Sequence, residues 1–206
     1  MKPDLVFANT LNVFASNSWC LFAVLQSRIH EIWERFFGSS LTDRLAYTIP
    51  DCFENFPLPP RYGLENKIEN AGRIYYEARK ILMQAMNQGL TAVYNRLNDP
   101  EENDSSVQHI RELHDVMDRA VLSAHGWNDI GLTTIYEREW DADEVERPAP
   151  WRLRWPEDDR NEILARLLEL NRRRTEEENH PASKTLAGRG SRRGARTAQN
   201  APYLLI

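Results

Sequence analysis

Three groupings in the 206-residue sequence have residue types and spacing that could do chemistry. Pro50–Asp51 followed by Glu65–Asn66–Lys67 has the letters of a two-carboxylate-plus-lysine metal site. In such a site Asp51 and Glu65 would hold Mg²⁺ and Lys67 would polarise the attacking water. Pro57, Pro59 and Pro60 separate the halves, and Lys67 falls at a helix start. The pattern therefore reads as a turn aspartate and a first-turn glutamate, which the helix dipole favours. His109 and His114 are five residues apart, not the four that put two ligands on one helix face, and read as solvated helix histidines. The third grouping is Ser39, Ser40, Thr42, Arg44 and Tyr47. Hydroxyls and a guanidinium on a held loop suit contact with phosphates or base edges. The alternative is local: Ser39 or Ser40 as a helix cap and Asp43–Arg44 as an ion pair, which composition alone favours.

Other catalytic signatures are missing. No glycine-rich phosphate loop and no GxSxG elbow occurs, and neither Cys20 nor Cys52 sits in the setting of a reactive thiol. Two cysteines make neither a disulfide framework nor a four-cysteine zinc site.

The elements that must position the third grouping follow from periodicity. Residues 5–14 read as one strand or two short ones, bounded by Pro3 and Ser16–Asn17–Ser18. From Ser18, a plausible N-cap, Leu21, Phe22, Leu25, Ile29, Ile32, Trp33 and Phe36 predict one amphipathic helix ending at Gly38. Its opposite stripe, Gln26, Arg28, Glu31 and Arg35, is expected to face solvent or a ligand. Residues 39–64 read as an extended strap, with four prolines interleaved with Phe53, Phe56 and Tyr62. Helices are predicted over 66–86, from Thr91 through Leu97, and from a Ser105/Gln108 capping box to His125. The two long helices form an antiparallel hairpin. An acidic connector over 137–149, the sequence WRLRWP, and a last helix over 157–178 follow. The fold class is mainly α (α+β). It divides into a segment 1–64, a helical hairpin 65–136, a connector and C-terminal helix 137–180, and a disordered basic tail 181–206.

Composition bounds the partners. Hydrophobic residues are 41% and charged residues 28%, enough apolar material for a core. No apolar run approaches the ~20 residues of a membrane span, and MKPDLVFANT lacks the shape of a signal peptide, so a cytoplasmic protein without a membrane partner is expected. Residues 1–100 are charge-balanced, 101–180 carry −10 and 181–206 carry +5. An acidic middle repels polyanions. Contact with nucleic acid therefore falls to the neutral first third or the basic tail.

The run from Phe22 to Pro59 resembles the C-terminal part of the large adenine-specific DNA methyltransferases of restriction-modification and phage-defence systems, of the type IIL (MmeI-like) kind. The segment Ser27-Arg28-x-His30-x-x-Trp33, the loop 38–44 and the strap 47–57 carry the likeness. Tyr76-Glu-Ala-Arg79, Gly89-Leu-Thr with Tyr94-Asn and Asp99-Pro100, Asp118-Arg-Ala-Val121, His125-Gly-Trp127, Trp155-Pro156 and Leu167-Leu-x-Leu-Asn171 are similar to the family's helical extension and terminal helix. Ala46 stands where the family often has arginine, and the tail after Glu178 has no counterpart. The glycine-rich S-adenosylmethionine motif and the Asn-Pro-Pro-aromatic motif that holds a flipped adenine are absent from the sequence.

The resemblance implies a target-recognition and C-terminal segment of such an enzyme: a fragment, a split subunit or a truncated product, inactive alone. Its cofactor, S-adenosylmethionine, belongs to the missing methylase domain, and none is expected on this chain, nor a metal. The implied partners are double-stranded DNA and a separate methylase domain or subunit. Arg28, Arg35, Ser39, Ser40, Arg44 and Tyr47 are the candidate DNA contacts, on helix face, loop position and the resemblance. The second reading is a helical interaction module, with 66–125 as its working surface, that docks on a methylase without touching DNA. A metal-dependent nuclease using Asp51, Glu65 and Lys67 comes third.

Overall fold

The computed structural model describes residues 12–38, 47–60, 66–139 and 149–179, together with the backbone of Leu204–Leu205. It is mainly helical. In chain order the elements are β1 (Val13–Phe14), α1 (Trp19–Gln26), α2 (Arg28–Phe37), a π-helical turn (Ile49–Glu54), α3 (Asn66–Met86), α4 (Leu90–Leu97), α5 (Ser105–His125), β2 (Ile135–Arg138), β3 (Trp151–Arg154), α6 (Glu157–Asn179) and β4 (Leu204–Leu205).

The helix predicted from Ser18 to Gly38 is two helices. Ser18 caps the first, its hydroxyl accepting from the Leu21 amide at 3.1 Å. Ser27 then adopts an extended conformation (φ −73°, ψ 152°), donates its hydroxyl to the Val24 carbonyl at 2.7 Å, and accepts from the His30 amide. It therefore caps the second helix. α1 is buried over Cys20, Phe22, Ala23, Val24 and Leu25, as expected of a helix that is apolar almost all round. Full burial of Phe22 and of Val24 contributes roughly 1.5–3 kcal/mol each.

α3 and α5 form the hairpin that periodicity predicts, with α1 packed against both. The antiparallel sense follows from their neighbours. Tyr75 lies against His114 midway along both helices, and Arg96 joins Met86 at the end of α3 to Asp104 at the start of α5. The α1–α3 crossing is close because residue 72 is glycine: a Cβ there would lie 2.5 Å from the Trp19 carbonyl oxygen and 2.9 Å from the Ala23 Cβ. The cap of α5 is Asp104 rather than Ser105; its carboxylate accepts from the Ser106 amide at 2.8 Å and adds negative charge at the helix N-terminus. Gly126, with φ +83°, ends the helix in the left-handed region.

Arg111 stitches the α4–α5 turn from within, donating to the carbonyls of Arg96, Leu97, Asp99 and Glu102. These are the orphan acceptors at the end of α4 and in the loop beyond it. β2 and β3 pair antiparallel, Ile135 opposite Arg154 and Arg138 opposite Trp151, so part of the expected irregular connector is a sheet. α6 packs on α2. It also ties down the strap, Asn171 donating to the Asn55 carbonyl at 2.6 Å and Arg174 to the Leu58 carbonyl at 2.7 Å. Within that strap Ile49–Glu54 coil into a π-helical turn, where an extended chain was expected. β4 pairs antiparallel with β1, so the backbone of Leu204–Leu205 in the basic tail holds a regular position that composition does not predict. Residues 5–11, the connector 140–148 and the rest of the tail lie outside the described residues.

Candidate nucleic-acid interface

Arg28 was expected on a solvent-facing stripe, and the structure corrects this. The break at Ser27 turns its side chain inward, where it is 6% exposed. Its Nη1 donates to Asp118 and to Asp115, each at 2.7 Å, its Nε donates to the Leu153 carbonyl, and its backbone N–H donates to the second Asp118 oxygen at 3.0 Å. Asp118 thus sits at the N-terminus of α2, where the dipole and a free amide both favour an anion. Burial opposes ionisation of this fully enclosed carboxyl and pushes it up to about 7, against the pull of Arg28. Arg28 is a tie between α2, α5 and β3, not a group free to meet a phosphate.

Tyr47 is half-buried, and its hydroxyl lies 3.0 Å from His30 Nε2. His30 stacks edge-on against Phe56 with ring centroids 4.7 Å apart, and burial lowers its pKa to about 4, so it is neutral at physiological pH. Burial above all, with the fields of Cys52 and Glu34, holds the Tyr47 phenol protonated. Trp33 donates its indole N–H to the Asp51 carbonyl at 3.2 Å. Gly38 and Tyr47, which flank residues 39–46, are therefore anchored by α2 and the strap. Ser39, Ser40 and Arg44 themselves lie outside the described residues, as does Glu65. Asp51 accepts from the Thr48 hydroxyl at 2.8 Å, and Lys67 is exposed in the first turn of α3. Among the described residues no group of three His, Cys, Asp or Glu side chains could hold a metal ion.

Arg35 is on the outer face of α2, and its surroundings were not anticipated. Three guanidiniums converge on one carboxylate: Arg35 Nη1 and Arg154 Nη2 reach Glu139 Oε1 at 2.7 and 2.5 Å, and Arg152 Nε reaches Oε2 at 2.7 Å. Arg35 Nε also bonds Glu31 at 2.8 Å. Burial works against the charge of Glu139, but the Arg154 hydrogen bond and the fields of Arg35, Arg154 and Arg152 outweigh it and hold the carboxylate below its ordinary range. The cluster forms one wall of an open cleft of about 490 Å³ between α2, α4 and β3. Arg152 and Arg154 are two apart on a strand, hence on the same face, and this is the signal in WRLRWP that points to a paired arginine surface.

His114 is not the solvated histidine its spacing suggests. It packs against Tyr75 with ring centroids 5.1 Å apart, its Nε2 lies 3.0 Å from the Gln26 carbonyl oxygen, and burial, reinforced by Arg28, lowers its pKa to about 3. Arg79 and the Tyr94 hydroxyl both donate to the Gln26 side chain, at 2.6 and 3.1 Å, which closes a polar network between α1, α3 and α4. Among the described residues no helix is long and apolar enough to cross a membrane. No known protein family, no curated protein and no solved structure matches this chain.

Proposed function

We propose that this chain is the DNA-recognition and helical C-terminal segment of a site-specific adenine DNA methyltransferase, working with a methylase domain or subunit that supplies S-adenosylmethionine and the catalytic pocket. One observation supports the reading above the others: the segments that carry the resemblance, far apart in sequence, are bonded to one another. Arg28 of the first meets Asp118, ninety residues further along. His30 and Trp33 hold Tyr47 and Asp51 of the strap. Asn171 of the last segment holds Asn55 of the strap, and Arg79 donates to Tyr94 at 2.9 Å. Residues that keep such a set of contacts are a scaffold, and the scaffold grips both flanks of residues 39–46. DNA contact is then assigned to that loop, with Ser39, Ser40 and Arg44, together with Arg35 and Tyr47 at its edges. No step of methyl transfer falls to these residues.

The test is binding of a random-sequence duplex across a salt series, by the full chain and by a variant with Lys184, Arg189, Arg192, Arg193 and Arg196 replaced by alanine. Binding that survives the replacement with a steep salt slope is expected, and Arg44→Ala then lowers the slope by about one. Binding that disappears with the tail charges overturns the assignment.

The second reading, a helical docking module, draws on a different observation. Ile74 and Ile81, seven residues apart on one face of α3, are 45% and 64% exposed, and Val116 on α5 is 55% exposed. Such apolar side chains fit a surface that a methylase subunit covers. On that reading the duplex test gives no tail-independent binding.

A further inference from the structure

We infer that Arg35, Arg152 and Arg154 form a binding site for a backbone phosphate of DNA, and that the Glu139 carboxylate occupies it in the free chain as an internal stand-in for that phosphate. The inference rests on the DNA-recognition reading for its ligand, while the anion site itself rests on geometry. Three guanidinium forks present about fifteen N–H donors, whereas a carboxylate offers only about four acceptor positions. Glu139 uses two oxygens to meet all three arginines. Arg154 Nε is left buried without a hydrogen-bond partner, in only a long ion-pair contact with Glu31 at 3.7 Å. A tetrahedral phosphate group has the further oxygens that planar forks pair with, and arginine is suited to it for that reason.

Access and charge point the same way. Arg35 and Arg152 are 36% and 31% exposed, so an anion reaches the cluster from solvent. Arg35, Arg152 and Arg154 are balanced by Glu139, Glu31 and Glu34 in the free chain, so the cluster becomes net positive once the Glu139 side chain swings out. The backbone of Glu139 is held, its N–H donating to the Pro150 carbonyl at 2.9 Å. Displacement therefore needs only a rotation of the Glu139 side chain, with no change in the fold. Arg35 lies on α2 three residues before its cap, Gly38.

Glu139→Gln in the full chain tests this, with Glu77→Gln on the exposed face of α3 as the control for bulk charge. Duplex affinity, read by fluorescence anisotropy, is expected to rise at least about fivefold for Glu139→Gln, the factor one unit charge about 4 Å from a phosphate produces even in water. The salt slope steepens by about one, Glu77→Gln does neither, and Arg152→Ala in the Glu139→Gln background removes the gain. Equal effects of the two glutamine variants overturn the site, as does weaker binding by a folded Glu139→Gln protein, which makes the cluster a structural latch only. Where Glu139→Gln does not fold, Arg152→Ala alone carries the test: it flattens the salt slope by about one, and an unchanged slope overturns the site. A second arm adds inorganic phosphate and reads the thermal midpoint of each variant. Phosphate that stabilises Glu139→Gln but not the Arg152→Ala double variant, with no duplex binding by any form, keeps the anion site and overturns the DNA-recognition reading. No phosphate response and no duplex gain overturn the inference itself.

Discussion

Replacing Arg28 separates a scaffold residue from a DNA contact. Arg28→Met keeps most of the stem and removes the guanidinium, leaving Asp118, which is fully buried, with the Arg28 backbone N–H as its remaining partner from α2. At an effective dielectric of about 20, two unit charges near 4 Å interact by roughly 4 kcal/mol, and removing one partner of a buried pair typically costs about 3–5 kcal/mol. The Asp115 contact is discounted because that carboxylate is well exposed. Protonation of Asp118, already pushed up to about 7, limits the loss and makes it smaller below neutral pH. With a urea slope of about 2 kcal/mol per molar, the unfolding midpoint at pH 8 falls by roughly 1.5–2.5 M. Asp118→Leu alone behaves similarly, whereas the Arg28→Met/Asp118→Leu double variant recovers part of the loss, because an apolar pair removes the desolvation penalty of both charges while the backbone N–H of residue 28 loses its acceptor. The assay is urea unfolding followed by circular dichroism, with duplex binding measured on the folded fraction. A midpoint shift under about 0.5 M together with lost duplex binding would refute the reasoning and return Arg28 to the DNA surface.

Further outcomes follow from other contacts. Gly72→Ala is expected to destabilise by about 1–3 kcal/mol despite the better helix propensity of alanine, because the clash is with the backbone oxygen of Trp19; Gly131→Ala, with open space around it, is neutral or slightly stabilising, and comparable thermal midpoints for the two would contradict the crossing geometry. His30 is buried and His114 and His125 are half-buried, and desolvation lowers their pKa values to about 4, 3 and 3, so the unfolded chain binds more protons and stability is lost as pH falls from about 6.5 toward 4. Asp118 has the opposite sign, since its raised pKa favours the folded state at low pH and that contribution fades as pH rises toward 7. The net is about two protons taken up on unfolding near pH 5.5, or roughly 2.7 kcal/mol per pH unit, and stability that is flat between pH 7 and 5 would overturn it.

The helices were legible because periodicity is local. The spans of α3 and α5, and the glycine that stops α5, follow from apolar spacing and a residue that tolerates positive φ. The break at Ser27 was not, although serine is a capping residue, because the apolar stripe runs through it unbroken. What decides the break is Asp118, ninety residues away, which offers a buried acceptor to the amide the break frees. The same distance hid the role of Arg28, whose position on a single ideal helix is polar and outward.

The sequence by itself determined the mainly helical class, most element boundaries, the uneven charge along the chain and the missing motifs of a methylase, since each depends on residue type and near neighbours alone. It also raised the resemblance from which the functional proposal grows. Only the tertiary structure decided which arginines are spent inside and which converge outside. Arg28 and Arg111 are consumed by carboxylates and carbonyls, while Arg35, Arg152 and Arg154 meet at Glu139. The cost of burying an unpaired polar group or charge fixes such pairings, and that cost depends on which segments the fold brings together rather than on spacing along the chain.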